Sequence, residues 1–148
     1  MKKSLYYIFA LCLLFHSCRQ EPPKEAVGTP TSKKEIIGYV PGFRGLLDEK
    51  DIDANKLTII NYAFVDVKDS LAWLTNLETD SVNFRKLNYL KKDNPGLKIV
   101  ISIGGWSWSE NFSDAVLTAS SREKFAKSGT KIVSDYNLDG IDIDWEYP

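Results

Sequence analysis

The feature that most constrains the fold is an alternation of strand-like and helical segments from Glu35 to the end of the 148-residue sequence. Short runs rich in apolar, β-branched and aromatic residues occupy 36–40, 57–67, 97–103 and 141–146. Helical patterns occupy 47–56, 82–93 and 120–136, the last with Ser120 or Ser121 as its N-cap. This alternation predicts a parallel α/β sheet, either doubly wound or closed as a (β/α)8 barrel.

Two features favour the barrel. In a barrel, site residues lie at the C-terminal ends of the strands, and Pro41-Gly42, Gly104-Gly105 and Glu146 all fall there. The sequence also has no Gly-rich phosphate loop that opens a helix, as a nucleotide-binding sheet would. Because a complete barrel takes about 250 residues, we expect an incomplete TIM barrel with strands 1 to 4 only. Such a segment would be poorly stable and inactive alone, since its last strand has an unpaired edge.

Three alternating acids in the last predicted strand are the strongest candidates for chemistry. An extended strand places Asp142, Asp144 and Glu146 on one face. Like charges so close cannot all ionise, so one should keep its proton near pH 7 and serve as a general acid. The opposite face, which we expect to be buried, carries Ile141, Ile143 and Trp145.

A solvated strand face and a divalent-cation site are the alternatives for these acids. The turn-type pair Asp139-Gly140 and the helix before it place the strand inside a parallel sheet with both faces covered. The sequence has one histidine, His16, far from the acids, and no calcium-loop spacing. Catalysis without a metal or other cofactor is therefore the favoured interpretation.

The N-terminus predicts export. Residues 1–17 combine Lys2 and Lys3 with an apolar run at 5–15 that is too short to span a bilayer. Ser17-Cys18 resembles the end of a bacterial lipoprotein signal, which would make Cys18 the lipidated mature N-terminus on the cell surface or outer membrane. Plain secretion is the alternative. The polar, proline-rich residues 18–34 read as a flexible tether to a domain at 35–148.

Composition and charge limit the kinds of binding partner that the sequence predicts. A formal net charge of -1 argues against a basic nucleic-acid binder. We expect membrane contact only through the anchor at Cys18. Beyond that residue the sequence has no cysteine and hence no disulfide framework.

Two motifs together resemble the paired signatures of family 18 glycoside hydrolases, the chitinases. They are Ser102-Ile103-Gly104-Gly105 and Asp139-x-x-Asp142-x-Asp144-x-Glu146. Gly38-Tyr39 and Asn61-Tyr62-Ala63-Phe64 are similar to the first two strands of such barrels. The resemblance covers about residues 36–148. It implies hydrolysis of β-1,4-linked N-acetylglucosamine polymers, either chitin or its oligosaccharides.

The resemblance also implies roles for the acids. Glu146 would protonate the glycosidic oxygen, and Asp144 would orient the substrate's own 2-acetamido group for attack on the anomeric carbon. Asp142 would share a proton or hydrogen bond with Asp144, helped by Ser102. This substrate-assisted, retaining scheme is an exception to the usual two-carboxylate mechanism. Asp139 would have a structural role in the turn.

Several residues near the strand ends are candidate sugar contacts. Gly104 and Gly105 either form a plain turn or let a sugar approach the backbone. Trp106 is the better candidate for a stacking platform, and Trp108 fits packing and stacking equally. The remaining candidate lining residues are Tyr39 and Phe64, although such positions in a barrel interior are more often core than substrate contacts.

Three alternatives to a chitinase stay open. An endo-β-N-acetylglucosaminidase is one, although Trp-Glu-Tyr-Pro at 145–148 looks more like chitinases. A non-catalytic carbohydrate-binding relative is another, and the presence of Glu146 argues against it. The third is a truncated product without activity.

Overall fold

The computed structural model describes residues 34–148. The predicted signal segment, the Cys18 site and all of the predicted tether except Lys34 lie outside this range. The strands are β1 (Ile37–Pro41), β2 (Ile59–Lys68), β3 (Leu71–Trp73), β4 (Lys98–Gly104) and β5 (Gly140–Asp144). The α-helices are α1 (Leu77–Tyr89), α2 (Phe112–Leu117) and α3 (Ala119–Asp135). Single 3-10 turns occupy Gly42–Arg44, Glu49–Asp51, Ala54–Lys56 and Leu90–Lys92.

The parallel strands follow one another in space as they do along the chain. Their order is β1-β2-β4-β5, and β3 pairs only with β2. A doubly wound sheet reverses its strand order at a switch point, and the sheet in residues 34–148 contains no such reversal. The fold is therefore a partial α/β barrel with four parallel strands, as predicted.

The two faces of this sheet differ in character. The face toward the helices is apolar: Ile60, Ile99 and Ile101 are fully buried against a cluster that includes Phe84 and Leu87 of α1. Side chains alternate between faces along a strand, so the intervening residues point away from the helices, into the concave side of the partial barrel. Those positions carry the polar residues Tyr39, Asn61, Ser102 and Asp142.

A buried polar network fixes the segment that follows β1. The Tyr62 hydroxyl donates to Asp80 Oδ1 at 2.7 Å. Asn83 Nδ2 donates to the Tyr62 hydroxyl at 3.1 Å and to the Gly45 carbonyl at 2.9 Å. The Leu47 N–H donates to Asn83 Oδ1 at 3.0 Å. These bonds attach residues 42–47 to α1.

The predicted helix at 47–56 is wrong. That segment forms two single turns, Glu49–Asp51 and Ala54–Lys56. Asp48 accepts from the Lys50 N–H at 3.1 Å, and Asp53 accepts from the Asn55 N–H at 3.2 Å. Aspartate side chains that bond the backbone two residues ahead compete with helical hydrogen bonds.

The other helix boundaries need correction. Helix α1 begins at Leu77 rather than 82, because Asn76 caps it by accepting from the Thr79 N–H at 3.2 Å. The cap of α3 is Thr118, and not Ser120 or Ser121. Thr118 Oγ1 accepts from the Ser121 N–H and Ser121 Oγ from the Thr118 N–H, each at 3.0 Å. This reciprocal pair is a capping box.

The antiparallel hairpin of β2 and β3 was not predicted. Its two turn residues, Asp69 and Ser70, have φ of 52° and 61°. Two positive φ values are typical of a tight hairpin turn, which usually contains glycine. Short helix α2 was also not predicted. In residues 34–148, no helix has the length and apolarity needed to cross a membrane.

The last strand is shorter and more open than expected. It ends at Asp144, so Glu146 lies in a bend just beyond it. Ile141 and Ile143 are 36% and 51% exposed, which contradicts the prediction of a buried apolar face. Within the described range, α3 is the α-helix with substantial contact to β5, and it leaves most of this face uncovered. Trp145 does pack inward, 5.3 Å from the Phe112 ring.

Candidate active site

The centre of the site is one carboxylate oxygen, Asp142 Oδ2, which accepts three hydrogen bonds. The Ser102 hydroxyl donates to it at 2.7 Å, Asn61 Nδ2 at 3.1 Å and the Tyr39 hydroxyl at 3.2 Å. The four residues come from β4, β2, β1 and β5. All four parallel strands therefore meet at this atom, and the Asp142 side chain has a fixed orientation.

Strand register produces this convergence. Ser102 and Asp142 are direct partners in the β4–β5 ladder, and Tyr39 and Asn61 are partners in the β1–β2 ladder. Because side chains repeat their face every two residues, Asp144 lies on the same face as Asp142. Both aspartates and Glu146 are half-buried. The prediction that these acids face the barrel interior thus agrees with where the structure places the two aspartates.

The hydroxyl of Tyr39 remains a proton donor at neutral pH. Partial burial raises its pKa above the ordinary value of 10.0, and the neighbouring carboxylates of Asp142 and Asp144 raise it further. The hydrogen bond with Asn61 acts in the opposite direction but does not cancel this rise. Tyr39, predicted to line the site, thus contacts Asp142 directly.

The glycine pair at the end of β4 has a packing reason of its own. Gly104 and Gly105 have φ of 111° and 83°, which only glycine adopts readily. A Cβ on Gly104 would lie 2.2 Å from the Asp144 carbonyl oxygen, and one on Gly105 would lie 2.7 Å from the Phe64 ring. The Gly105 N–H donates to the Asp144 oxygen at 2.6 Å. Close approach of β4 and β5 therefore requires Gly104, and the Phe64 ring requires Gly105. Contact of either glycine with sugar stays a prediction.

The backbone of Glu146 is held by a serine that the sequence did not single out. Its N–H donates to Ser109 Oγ at 3.0 Å, and Ser109 is only 6% exposed. A lone serine in a loop carries no sequence signal of such a role. Asn61 was also missed as a site residue, although a polar side chain inside an apolar strand is a usable signal.

The aromatic residues beside the site divide into packed and open side chains. Trp108 lies 5.7 Å from both the Phe43 and Phe64 rings and is half-buried, so it packs the loop. Phe64 stacks on Phe43 at 6.4 Å. Trp106 is 75% exposed, and its ring meets Tyr147 edge to face at 6.1 Å. Trp106 thus offers an open ring, and its role as a sugar platform stays a prediction.

Asp139 lies at the other end of β5, away from the acids. Its Oδ2 accepts from the Ile99 N–H at 2.7 Å and pairs with Lys91 Nζ at 2.6 Å. Burial acts to raise the pKa of Asp139, but the Ile99 N–H and the Lys91 ammonium outweigh it and hold the pKa below 3.8. The geometry suits the structural role that the sequence suggested.

Within residues 34–148, no group of three or more His, Cys, Asp or Glu side chains is arranged to hold a metal ion. What the site does offer is a fixed aspartate, a second aspartate on the same face, and a glutamate just past the strand end. Barrel enzymes carry their catalytic residues at the C-terminal ends of the strands, and glycosidases commonly use Asp or Glu side chains in pairs.

Comparison with known proteins identifies the family. The chain belongs to family 18 of the glycosyl hydrolases, because the sequence model "Glycosyl hydrolases family 18" matches residues 35–148. Chitinase A1 of Niallia circulans is 43% identical over 94 residues, which cover 64% of this chain and 13% of that protein. The predicted family is therefore confirmed.

Solved structures agree with this assignment. The Group IV chitinase of Ostrinia furnacalis matches with a TM-score of 0.73 and 30% identity, over 78% of this chain and 34% of that one. Human YKL-39, a pseudo-chitinase with retained chitooligosaccharide binding properties, matches with a TM-score of 0.69 and 26% identity over the same shares. The chain thus spans about a third or less of each of these three proteins.

Proposed function

We propose that residues 35–148 supply the proton donor and the paired aspartates of a chitinase, which hydrolyses β-1,4 links between N-acetylglucosamine units. The observation that carries this proposal is the Asp142 carboxylate, fixed by donors from three other strands and followed by Asp144 and Glu146 at the strand end. Similarity to Chitinase A1 of Niallia circulans supports the substrate class.

In the proposed mechanism, Glu146 gives its proton to the glycosidic oxygen as the bond from that oxygen to the anomeric carbon breaks. The carbonyl oxygen of the substrate's 2-acetamido group attacks the same carbon, and Asp144 orients and stabilises that group. Water then attacks the anomeric carbon and loses a proton to the Glu146 carboxylate, as the bond from the acetamido oxygen to that carbon breaks. Two inversions at the same carbon retain its configuration. The protein needs no nucleophile of its own and no cofactor.

The hydrogen bonds on Asp142 support the role proposed for Asp144. Asp142 is the only one of the three acids on which donors from several strands converge in the described residues. With that side chain fixed, a proton or hydrogen bond shared with Asp144 has a defined direction. Such preorganisation avoids reorganisation during the reaction.

Replacing Glu146 tests the proposal directly. In the protein expressed from its complete gene, Glu146→Gln should lower kcat on chito-oligosaccharides by about 10²–10⁴-fold, because general-acid assistance is lost. Binding of the oligosaccharide, measured by calorimetry, should change little since the amide keeps the size of the acid. Glu123→Gln, an exposed carboxylate on α3, is the matched control. Undiminished turnover by Glu146→Gln would refute the assignment.

The same experiment separates the other candidate functions. YKL-39 is a precedent in this fold for binding chitooligosaccharides as a pseudo-chitinase. A wild-type protein that binds chito-oligosaccharides without cleaving them would indicate that function here. Cleavage of N-glycan cores but not of chito-oligosaccharides would indicate an endo-β-N-acetylglucosaminidase.

We also propose, from the sequence of residues 1–18 alone, that the protein is exported and carries a lipid on Cys18. In cells labelled with a fatty acid, the wild-type protein should incorporate the label and sediment with membranes. Cys18→Ala should abolish both. A wild-type protein found unlabelled in the medium would indicate plain secretion.

A further inference from the structure

Glu146 lies past the end of β5, outside the β-sheet that positions the aspartates. The β4–β5 ladder ends at the pair Gly104 and Asp144. Two residues further on, the backbone of Glu146 has no strand partner in the described range. Its position there depends on contacts outside the sheet.

Ser109 provides such a contact at the point where the ladder ends. A serine hydroxyl has one hydrogen to donate and two lone pairs to accept with. Ser109 Oγ accepts from the Glu146 N–H at 3.0 Å and lies 2.9 Å from the Gly105 carbonyl oxygen and 3.2 Å from that of Asp144. One hydroxyl thus joins the turn after β4 to the chain on both sides of Trp145.

Ser109 is itself held firmly. It is 6% exposed, and its carbonyl oxygen accepts from the Phe112 N–H at 3.2 Å, at the start of α2. The Trp108 N–H donates to the Gly105 oxygen at 3.2 Å, which closes the turn that carries Ser109. The hydroxyl is therefore a rigid acceptor for the Glu146 backbone.

We propose that Ser109 is a positioning residue for Glu146, acting through the backbone N–H to fix the carboxyl group for proton transfer. The inference rests on the proposed function of Glu146 as proton donor. Ser109 does not touch the reacting atoms in this scheme. Its effect is geometric, since a displacement of about 1 Å in a catalytic group can cost about 10²-fold in rate.

Leaving-group chemistry distinguishes this role from a general structural one. Departure of a sugar alkoxide needs a proton, whereas departure of dinitrophenolate needs almost none. In the protein expressed from its complete gene, Ser109→Ala should lower kcat on a chito-oligosaccharide by about tenfold, with KM unchanged. On the dinitrophenyl glycoside of the same sugar, kcat/KM should stay within about twofold, because kcat/KM reports cleavage of the glycosidic bond and not the later step in which Glu146 acts as a base. Equal losses on both substrates, or no loss on either, would overturn the inference.

Two further variants complete the test. Ser109→Cys keeps a weak hydrogen-bond acceptor. Its selective loss on the chito-oligosaccharide should therefore be smaller than that of Ser109→Ala. Ser107→Ala, an exposed serine in the same turn, should behave as wild type. If both Ser109 variants fail to fold, as judged by circular dichroism, the hydroxyl holds the fold rather than Glu146, and the inference is overturned.

Glu146→Gln separates this inference from the proposed function. In kcat/KM, that variant should show the same selective loss, larger than that of Ser109→Ala, and adding Ser109→Ala to it should cause no further loss. If Glu146→Gln does not lose activity selectively, the proposed function fails. If Glu146→Gln loses activity selectively and Ser109→Ala does not, only the proposed role of Ser109 fails.

Discussion

At the scale of single residues, the site depends on atoms whose partners are distant in sequence. Asp142 accepts from Asn61 across 81 positions and from Tyr39 across 103. Hydrogen bonds to a charged group contribute about 1.5–3 kcal/mol each. The three donors on Asp142 therefore link the chemistry of the site to correct pairing of the strands.

Gly104 gives a residue-scale prediction. Gly104→Ala should lower the free energy of unfolding by about 2–3 kcal/mol, because alanine is strained at positive φ and its Cβ would collide with Asp144. Denaturant unfolding measures the loss. Gly96→Ala is the control, since the nearest atom to its Cβ would be at 3.5 Å. Unchanged stability with a raised KM would instead indicate that Gly104 acts through contact with sugar.

At the scale of elements, Asp139 joins the start of β5 to the start of β4 and to Lys91, just after α1. Its side chain is 26% exposed and that of Lys91 24%. A half-buried carboxylate with a lysine and a backbone N–H is worth more than an exposed ion pair. Replacing Asp139 therefore tests whether this connection between β5, β4 and Lys91 stabilises the fold.

Asp139→Asn should lower the free energy of unfolding by about 1–2 kcal/mol at pH 7. Because the folded-state pKa of Asp139 lies below 3.8, the unfolded chain binds its proton first as the pH falls. The stabilisation is present above pH 3.8 and is lost as the pH falls through the lower, folded-state pKa. The difference in the free energy of unfolding between wild type and Asp139→Asn should therefore become smaller as the pH falls.

Unfolding curves at several pH values measure that gap. Glu123→Gln removes an exposed pair on α3, with side chains 75% and 65% exposed, and should change stability by less than about 0.5 kcal/mol. A gap that is independent of pH would contradict the ionic role of Asp139.

The elements that could be predicted from sequence are those with strong periodic patterns. All four parallel strands were visible as apolar or alternating runs, and the helix ending near Asp135 was visible as a helical pattern. The β2–β3 hairpin was not, because Asp69-Ser70 lacks the usual glycine. The start of α1 was missed because Asn76 is one polar residue among several, and its capping role depends on a contact with Thr79.

At the scale of the whole molecule, the prediction of the barrel rested on the alternation of strands and helices and on candidate site residues at the strand ends. The prediction of the site rested on the spacing of acids in one strand. Ser102 and Asp142 were visible because each lies in a recognisable motif. Asn61 was missed although its polar side chain inside an apolar strand is a usable signal. Ser109 carried no signal, since its role exists only after distant segments meet; Ser109 and Glu146 are 37 positions apart. Tertiary contacts of this kind leave no local pattern in a sequence.

The convergence of three hydrogen bonds on Asp142 Oδ2 affects how well the protein can tolerate an error in strand register. If β1 slid by two residues along β2, each of its side chains would keep its face, so the alternation of faces alone would not oppose the error. The same slip would remove the Tyr39 donor from the carboxylate. Hydrogen bonding at Asp142 therefore reports on strand alignment, and misaligned molecules would lose the fixed orientation of this side chain before they lost their compactness.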